Sequence, residues 1–342
     1  MPDIGTPTAR VDATAGRAGE ALTHDDRPRR TRRNPILIAT ALLCFLALVL
    51  YPIMPFANRY YEASLGKAML WAILAVSLGF LIGQSGLVSF GHAAWYGFGA
   101  YLGGLINIHV SSDVLVSLVS VSILAAVVAT GFGVVLTRLS GISFAILTLA
   151  FGQVVYSAVF VFSDVTGGED GLNGVPLPTL LGFDLGVGYG FYLLILSVVS
   201  LALLALYWLA STPMGGTWAA IRENEPRARF IGIGVHIEKL VLYVLTSVLA
   251  AMAGALYVAY NGAVAPDLLH WQQSGEILMA AILGGTSTVF GPAVGGVAVY
   301  LMHQIISTSF DQWLIVLGVA FVVVIILMPQ GIGGLLKRKG RS

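Results

Sequence analysis

Residues 114–136 read VLVSLVSVSILAAVVATGFGVVL, without one charged side chain from end to end. A helix needs about 20 such residues to cross the hydrocarbon core of a bilayer. Inside lipid every backbone N–H and C=O must find its partner within the protein, which leaves helices and closed barrels as spanning structures. Barrel strands alternate apolar and polar positions, and this run does not alternate. It predicts a transmembrane helix, and the fold class is an all-α integral membrane protein.

Comparable runs lie on both sides of it, at 36–54, 66–83 and 86–107, and at 141–162, 188–210, 239–260, 276–289, 291–308 and 312–329. That predicts about ten transmembrane helices, some short or broken, with 276–308 readable as two crossings or as one broken span. Composition agrees. The chain is 57% hydrophobic and 10% charged, against about 25% charged residues in soluble domains, and its mean hydropathy is +0.87. The net charge of +1 says nothing about partners. The single cysteine, Cys44, lies in an apolar run, which excludes an intrachain disulfide and a cysteine metal site.

Charge placement predicts orientation. Residues 1–34 are polar and aperiodic, and read as a disordered cytoplasmic tail. Arg27, Arg29, Arg30, Arg32 and Arg33 stand directly before the first apolar run, too far from Met1 for a cleavable signal, and predict a cytoplasmic N-terminus. Counting crossings from there places Arg138, the charged loop 211–238 and the basic tail 336–342 (Lys337, Arg338, Lys339, Arg341) inside. The loop 163–187, which holds acidic residues but no lysine or arginine, falls outside. Residues 35–335 form the membrane domain in this reading.

Carboxylates are expected in the tail, in loops or at helix ends, Glu276 among them, and none near the middle of a span. That disfavours a carrier driven by protons or sodium, which needs ion-coordinating groups at membrane depth. His92 is the one group at depth that titrates near neutrality. With Ser85, Ser89, Tyr96, Gly99 and Gly103 it falls on one face of a predicted helix over 86–107. Such a stripe is either an interhelical hydrogen-bond seam or the lining of a translocation path. The same alternatives hold for Thr148, Gly152 and Tyr156. Gln84, at the start of the stripe, completes the candidate pathway set.

The loop 211–238 reads as two short helices: one opened by Thr212 and Pro213, and one over 226–231 opened by Asn224, Glu225 and Pro226 and stopped by Gly232. A short helix carrying Arg227, Arg229, Phe230 and Ile231 suits docking into a groove on a cytoplasmic partner, or a connector held at anionic headgroups. The chain has no phosphate loop: Lys67 follows Gly66 but precedes Ala68. Metalloprotease, cysteine–histidine and serine-hydrolase motifs are equally missing, so no enzyme, metal or cofactor is predicted.

Several stretches resemble a known family. Gly83-Gln-Ser-Gly-Leu-Val-Ser-Phe-Gly-His-Ala-Ala-Trp-Tyr-Gly-Phe-Gly-Ala-Tyr101, Ser143-Phe-Ala-Ile-Leu-Thr-Leu-Ala-Phe-Gly152 and Thr166-Gly-Gly-Glu-Asp-Gly-Leu-Asn-Gly-Val-Pro176 are similar to signatures of permease subunits in bacterial branched-chain amino acid ABC importers. So are Ala220-Ile-Arg-Glu-Asn-Glu-Pro-Arg-Ala-Arg-Phe-Ile-Gly-Ile-Gly234 and Leu283-Gly-Gly-Thr-Ser-Thr-Val-Phe-Gly-Pro292. The resemblance covers roughly residues 60–335 and leaves out the N-terminal tail. It implies the ABC importer permease fold in the bacterial inner membrane, with a second permease subunit, two cytoplasmic ATPases and a periplasmic substrate-binding protein as partners, and no nucleic acid. It implies that Arg222, Glu223, Asn224, Glu225, Arg227, Arg229, Phe230 and Gly232 contact an ATPase. It also implies that Thr166, Gly167, Gly168, Asp170 and Gly171 lie on the binding-protein side. The cargo it implies is branched-chain amino acids, although relatives of this architecture also carry urea, short amides or aromatic acids.

Overall fold

The computed structural model describes residues 59–306 apart from 187, together with Tyr51 and a few positions between 315 and 331. The tail 1–34, the run 36–54 apart from Tyr51, most of 312–329 and the basic tail lie outside the described residues. Helices follow the apolar runs: α1 Arg59–Ser85, α2 His92–His109, α3 Val114–Leu136, α4 Gly141–Val161, α5 Ser163–Thr166, α6 Tyr189–Ala210, α7 Pro213–Glu223, α8 Glu225–Phe230, α9 Val235–Asn261, α10 Trp271–Gly284 and α11 Gly291–Ile306. Among the described residues five helices, α1, α3, α4, α6 and α9, are long and apolar enough to cross a membrane. Many large apolar side chains on α3 and α6 point outward, Val119, Ile123, Val127, Leu201 and Leu204 among them. In water that exposure would be costly, and in lipid it is the expected arrangement.

The interior is built around α9, which packs against α1, α2 and α3. Its contact with α2 is backbone to backbone: a Cβ placed on Gly254 would stand 1.9 Å from the Tyr96 carbonyl oxygen, and one on Gly99 2.0 Å from that of Ala251. Without an aqueous drive between membrane helices, such close approach through small residues is what holds them together. Trp95 donates its indole N–H to the Tyr243 hydroxyl at 3.0 Å across the same seam.

One expectation changes and two are sharpened. The run 86–107 is not one helix, because residues 86–91 are non-helical and α2 begins at His92. Of the two readings left open for 276–308, the described residues fit two separate short helices, α10 and α11. α10 and α11 fold back antiparallel, with Gly284 against Gly291 and Gly295 against Ala280. The segment 163–187 holds a two-residue hairpin, β1 Thr179–Leu180 paired antiparallel with β2 Phe183–Asp184 in the register Thr179↔Asp184. Asp113 ties that hairpin to the bundle, since its carboxylate caps α3 by accepting from Leu115 N–H and also accepts from Leu181 N–H.

Candidate functional site: the link between α1 and α2 and its handle

The break between α1 and α2 gathers several buried hydroxyls. Ending one helix and starting the next frees backbone N–H groups, which lipid cannot satisfy. Here hydroxyls satisfy them. Leu87 N–H donates to Ser85, Gly91 N–H to Ser89, Phe90 N–H to Thr148 of α4 at 3.1 Å, and Ala93 N–H to Ser274 of α10 at 3.1 Å. The α4 backbone lies against the break, with the Thr148 carbonyl so close to Gly91 that a Cβ there would stand 2.6 Å away. Gly152 faces the same residue.

This geometry revises the stripe predicted on one helix face. His92, Tyr96, Gly99 and Gly103 do share a face of α2, but Ser85 ends α1 and Ser89 lies in the link, so these two are outside that helical period. Gln84 is half-buried in the last turn of α1. His92 is 0% exposed and neither ring nitrogen has a partner among the described residues; the Tyr96 hydroxyl is likewise buried and unpaired. Thr148 and Gly152 do sit at the break, while Tyr156 stands farther along α4, its ring edge-on to His270 at 5.4 Å. Glu276 corrects another expectation: it lies inside α10, not at its end, and is buried.

At one end of the bundle α7 and α8 form a handle. Arg222 of α7 donates to the Gly83 carbonyl at 2.6 Å, satisfying one of the free acceptors at the end of α1. α8 begins one residue earlier than the sequence suggests and ends at Phe230. The Asn224 side chain caps it by accepting from Arg227 N–H at 2.9 Å, and Gly232 turns the chain away at φ +88°. Thr212 occupies the capping position of α7, but its hydroxyl donates backward to Leu209.

One residue absent from the sequence prediction anchors this handle. Lys239 of α9 is 2% exposed, and its ammonium donates to Glu225 at 2.6 Å and to Ser140 at 3.2 Å. Ser140, at the start of α4, also donates to Glu225 at 3.1 Å, and Arg229 pairs with the second carboxylate oxygen at 3.0 Å. Burial pushes the Glu225 carboxyl up, but the Lys239 bond and charge, Ser140 and Arg229 outweigh it and hold its pKa below the ordinary glutamate value. A lysine at the very start of an apolar run was the available signal. Its partners, 14 and 99 positions away, were not readable. Past this clamp Phe230 and Ile231 project outward, Phe230 being 91% exposed, with Arg227 and Arg229 exposed beside them.

The loop after α4 packs on the α9–α10 connection. Leu172 and Val264 exchange both backbone hydrogen bonds at 2.9 Å. Gly171 beside them has φ +69° and would place a Cβ 2.2 Å from the Val264 carbonyl, so only glycine fits. Thr166 donates to the Val159 carbonyl, Gly167 and Gly168 turn the chain at positive φ, and Asp170 is exposed. Among the described residues no three histidine, cysteine, aspartate or glutamate side chains gather as a metal site.

Five helices long and apolar enough to cross a membrane, with a hydroxyl-satisfied link between α1 and α2, define a multi-pass membrane protein. The family described as branched-chain amino acid transport system / permease component matches residues 60–328, and the chain belongs to that family as a permease subunit. The high-affinity branched-chain amino acid transport system permease protein LivM of Escherichia coli K12 is 28% identical over 287 residues, 77% of this chain and 68% of LivM. LivH of the same strain, named for the same transport system, is 25% identical over 284 residues, 77% of this chain and 91% of LivH. The xylose transport system permease protein XylH of Haemophilus influenzae is 29% identical over 171 residues, 49% of this chain and 38% of XylH. No solved structure matches.

Proposed function

We propose that this chain is a transmembrane permease subunit of an ATP-driven ABC importer carrying branched-chain amino acids across the bacterial inner membrane. It would cross about ten times with both termini cytoplasmic, beside a second permease subunit, two ATPases and a periplasmic binding protein. The observation that carries the reading is α8, where an exposed Phe230 and Ile231, flanked by arginines, are clamped by Glu225 to buried Lys239 and to Ser140. An exposed aromatic on a rigidly anchored helix suits a protein groove, and the clamp couples any push on it to α9 and α4. α4 in turn rests on the break between α1 and α2. Arg222 through Gly232 are then the ATPase contact, and Gln84, Ser85, Ser89, His92, Tyr96, Thr148, Gly152 and Tyr156 border the path. Thr166–Gly171 face the binding protein. ATP closure would move α8 and switch the bundle between two discrete arrangements.

The test uses the full complex in proteoliposomes. Phe230→Asp should abolish ATP-dependent leucine uptake while the permease stays folded in the membrane; uptake at the full rate would refute the docking role. Titrating the binding protein with leucine, urea and benzoate separates amino acids from the other solutes this architecture carries. Buried Glu276 favours one competing reading, an ion-coupled carrier. Collapsing the membrane potential while ATP is kept high should leave uptake intact, and loss of uptake would favour that carrier.

A further inference from the structure

The outward face of α4 differs from those of α3 and α6. On α3 and α6 the exposed hydroxyls of Thr130 and Ser197 are satisfied internally, Thr130 donating to the Ala126 carbonyl at 2.7 Å and Ser197 to that of Leu193 at 2.8 Å. On α4, near the middle of an apolar span, Gln153 makes no hydrogen bond among the described residues, although its carbonyl oxygen is screened from the surface. Ser157, one turn on and exposed, has no partner either. A primary amide has four hydrogen-bonding positions, and leaving them empty against hydrocarbon is costly.

Shape points the same way. Ser143, Ala150 and Ser157 recur every seven residues on this face and all three are exposed, a spacing that lets a second helix approach closely. Beside them runs a groove of about 420 Å³ lined by Gln153, Val154, Ser157, Ala158, Val161 and Phe162. The face continues onto the start of α10 through the ring series Tyr156–His270–Trp271, where Trp271 and Gln272 are exposed. That region lies within the level spanned by α2, because Leu269 packs on Gly97 and Ser274 bonds Ala93.

We propose that the face formed by α4 and the first turn of α10 is the surface on which the second permease subunit packs, with Gln153 hydrogen-bonded across the interface. The inference rests on the reading of this chain as one of two permeases. The choice of occupant follows from the relatives: LivM and LivH are two distinct permease proteins named for one transport system, and both align with this chain. A related subunit supplies helices of membrane length whose carbonyls and hydroxyls can accept from the Gln153 amide N–H, and hydrocarbon supplies no acceptor at that depth.

The test places a photo-crosslinking amino acid at Ala150 or Ser157, and as controls at Val127 of α3 or Leu204 of α6, in the full complex in native membranes. Ala150 and Ser157 should give a covalent adduct identified by mass spectrometry as a different permease of the same family, and the controls should not. Gln153→Leu, in protein confirmed to reach the membrane at normal levels, should lower the Ser157 adduct about threefold, the factor for one interhelical hydrogen bond in a membrane. Adducts with lipid alone, with a second copy of this chain or with residues 36–54 of the same chain would each overturn the proposal, as would heteromeric adducts from the control positions alone. The adduct is scored without ATP, so a failure of the ATP-driven reading leaves this result unaffected and is seen separately in uptake.

Discussion

Removing the clamp one partner at a time should give unequal losses that do not add. Glu225→Gln keeps the shape but leaves the Lys239 ammonium, 2% exposed, without its counter-charge and with only neutral acceptors in the clamp. Breaking a buried pair this way costs about 3–5 kcal/mol, and the quarter exposure of Glu225 puts the expected loss at the lower end, about 3 kcal/mol. Lys239→Met leaves Glu225 with Arg229, Ser140 and water, so about 1.5–2 kcal/mol is expected, the lower part of the range for a hydrogen bond to a charged group. The double variant Glu225→Met/Lys239→Met replaces the pair by apolar groups and should recover most of the stability. Stability is read by reversible SDS unfolding of the purified subunit, and function by leucine transported per ATP hydrolysed in the reconstituted complex. The double variant should fold as well as the parent and still fail to couple hydrolysis to transport, because α8 has lost its tie to α9 and α4. Single variants within about 0.5 kcal/mol of the parent, or losses that simply add, would refute the clamp, and full coupling in the double variant would refute its role in transmission.

Other outcomes follow from the same geometry. Gly254→Ala sets a Cβ 1.9 Å from the Tyr96 carbonyl oxygen, so α2 and α9 must part by about 1.4 Å to reach ordinary carbon–oxygen contact. The expected cost is about 1–3 kcal/mol in SDS unfolding. Because the Glu225 pKa is lowered in the fold, its contribution is complete above the unfolded glutamate value and is lost as pH falls through the folded one. Acid titration of stability should therefore show a loss below the normal carboxylate range, and Glu225→Gln should remove that component. Thr148→Val takes away the acceptor of Phe90 N–H at the break and should cost about 1–3 kcal/mol. Thr148→Ser should restore both stability and transport, and equal behaviour of the two variants would contradict the capping role.

By itself the chain's apolar runs determined that this is a helical membrane protein, because a bilayer core demands long uncharged segments whatever they pack against. Local chemistry likewise sufficed for Asn224 and Gly232 at the ends of α8, since a cap and a left-handed turn depend on near neighbours. The break at 86–91 escaped a reading by helical period because the hydroxyls that make it tolerable, on Thr148 and Ser274, come from helices far along the chain. Glu225–Lys239–Ser140 and the depth of Glu276 are likewise tertiary facts. Only folding decides which buried charge meets its counter-charge, and that pairing sets whether a charge at a membrane boundary is a liability or an anchor.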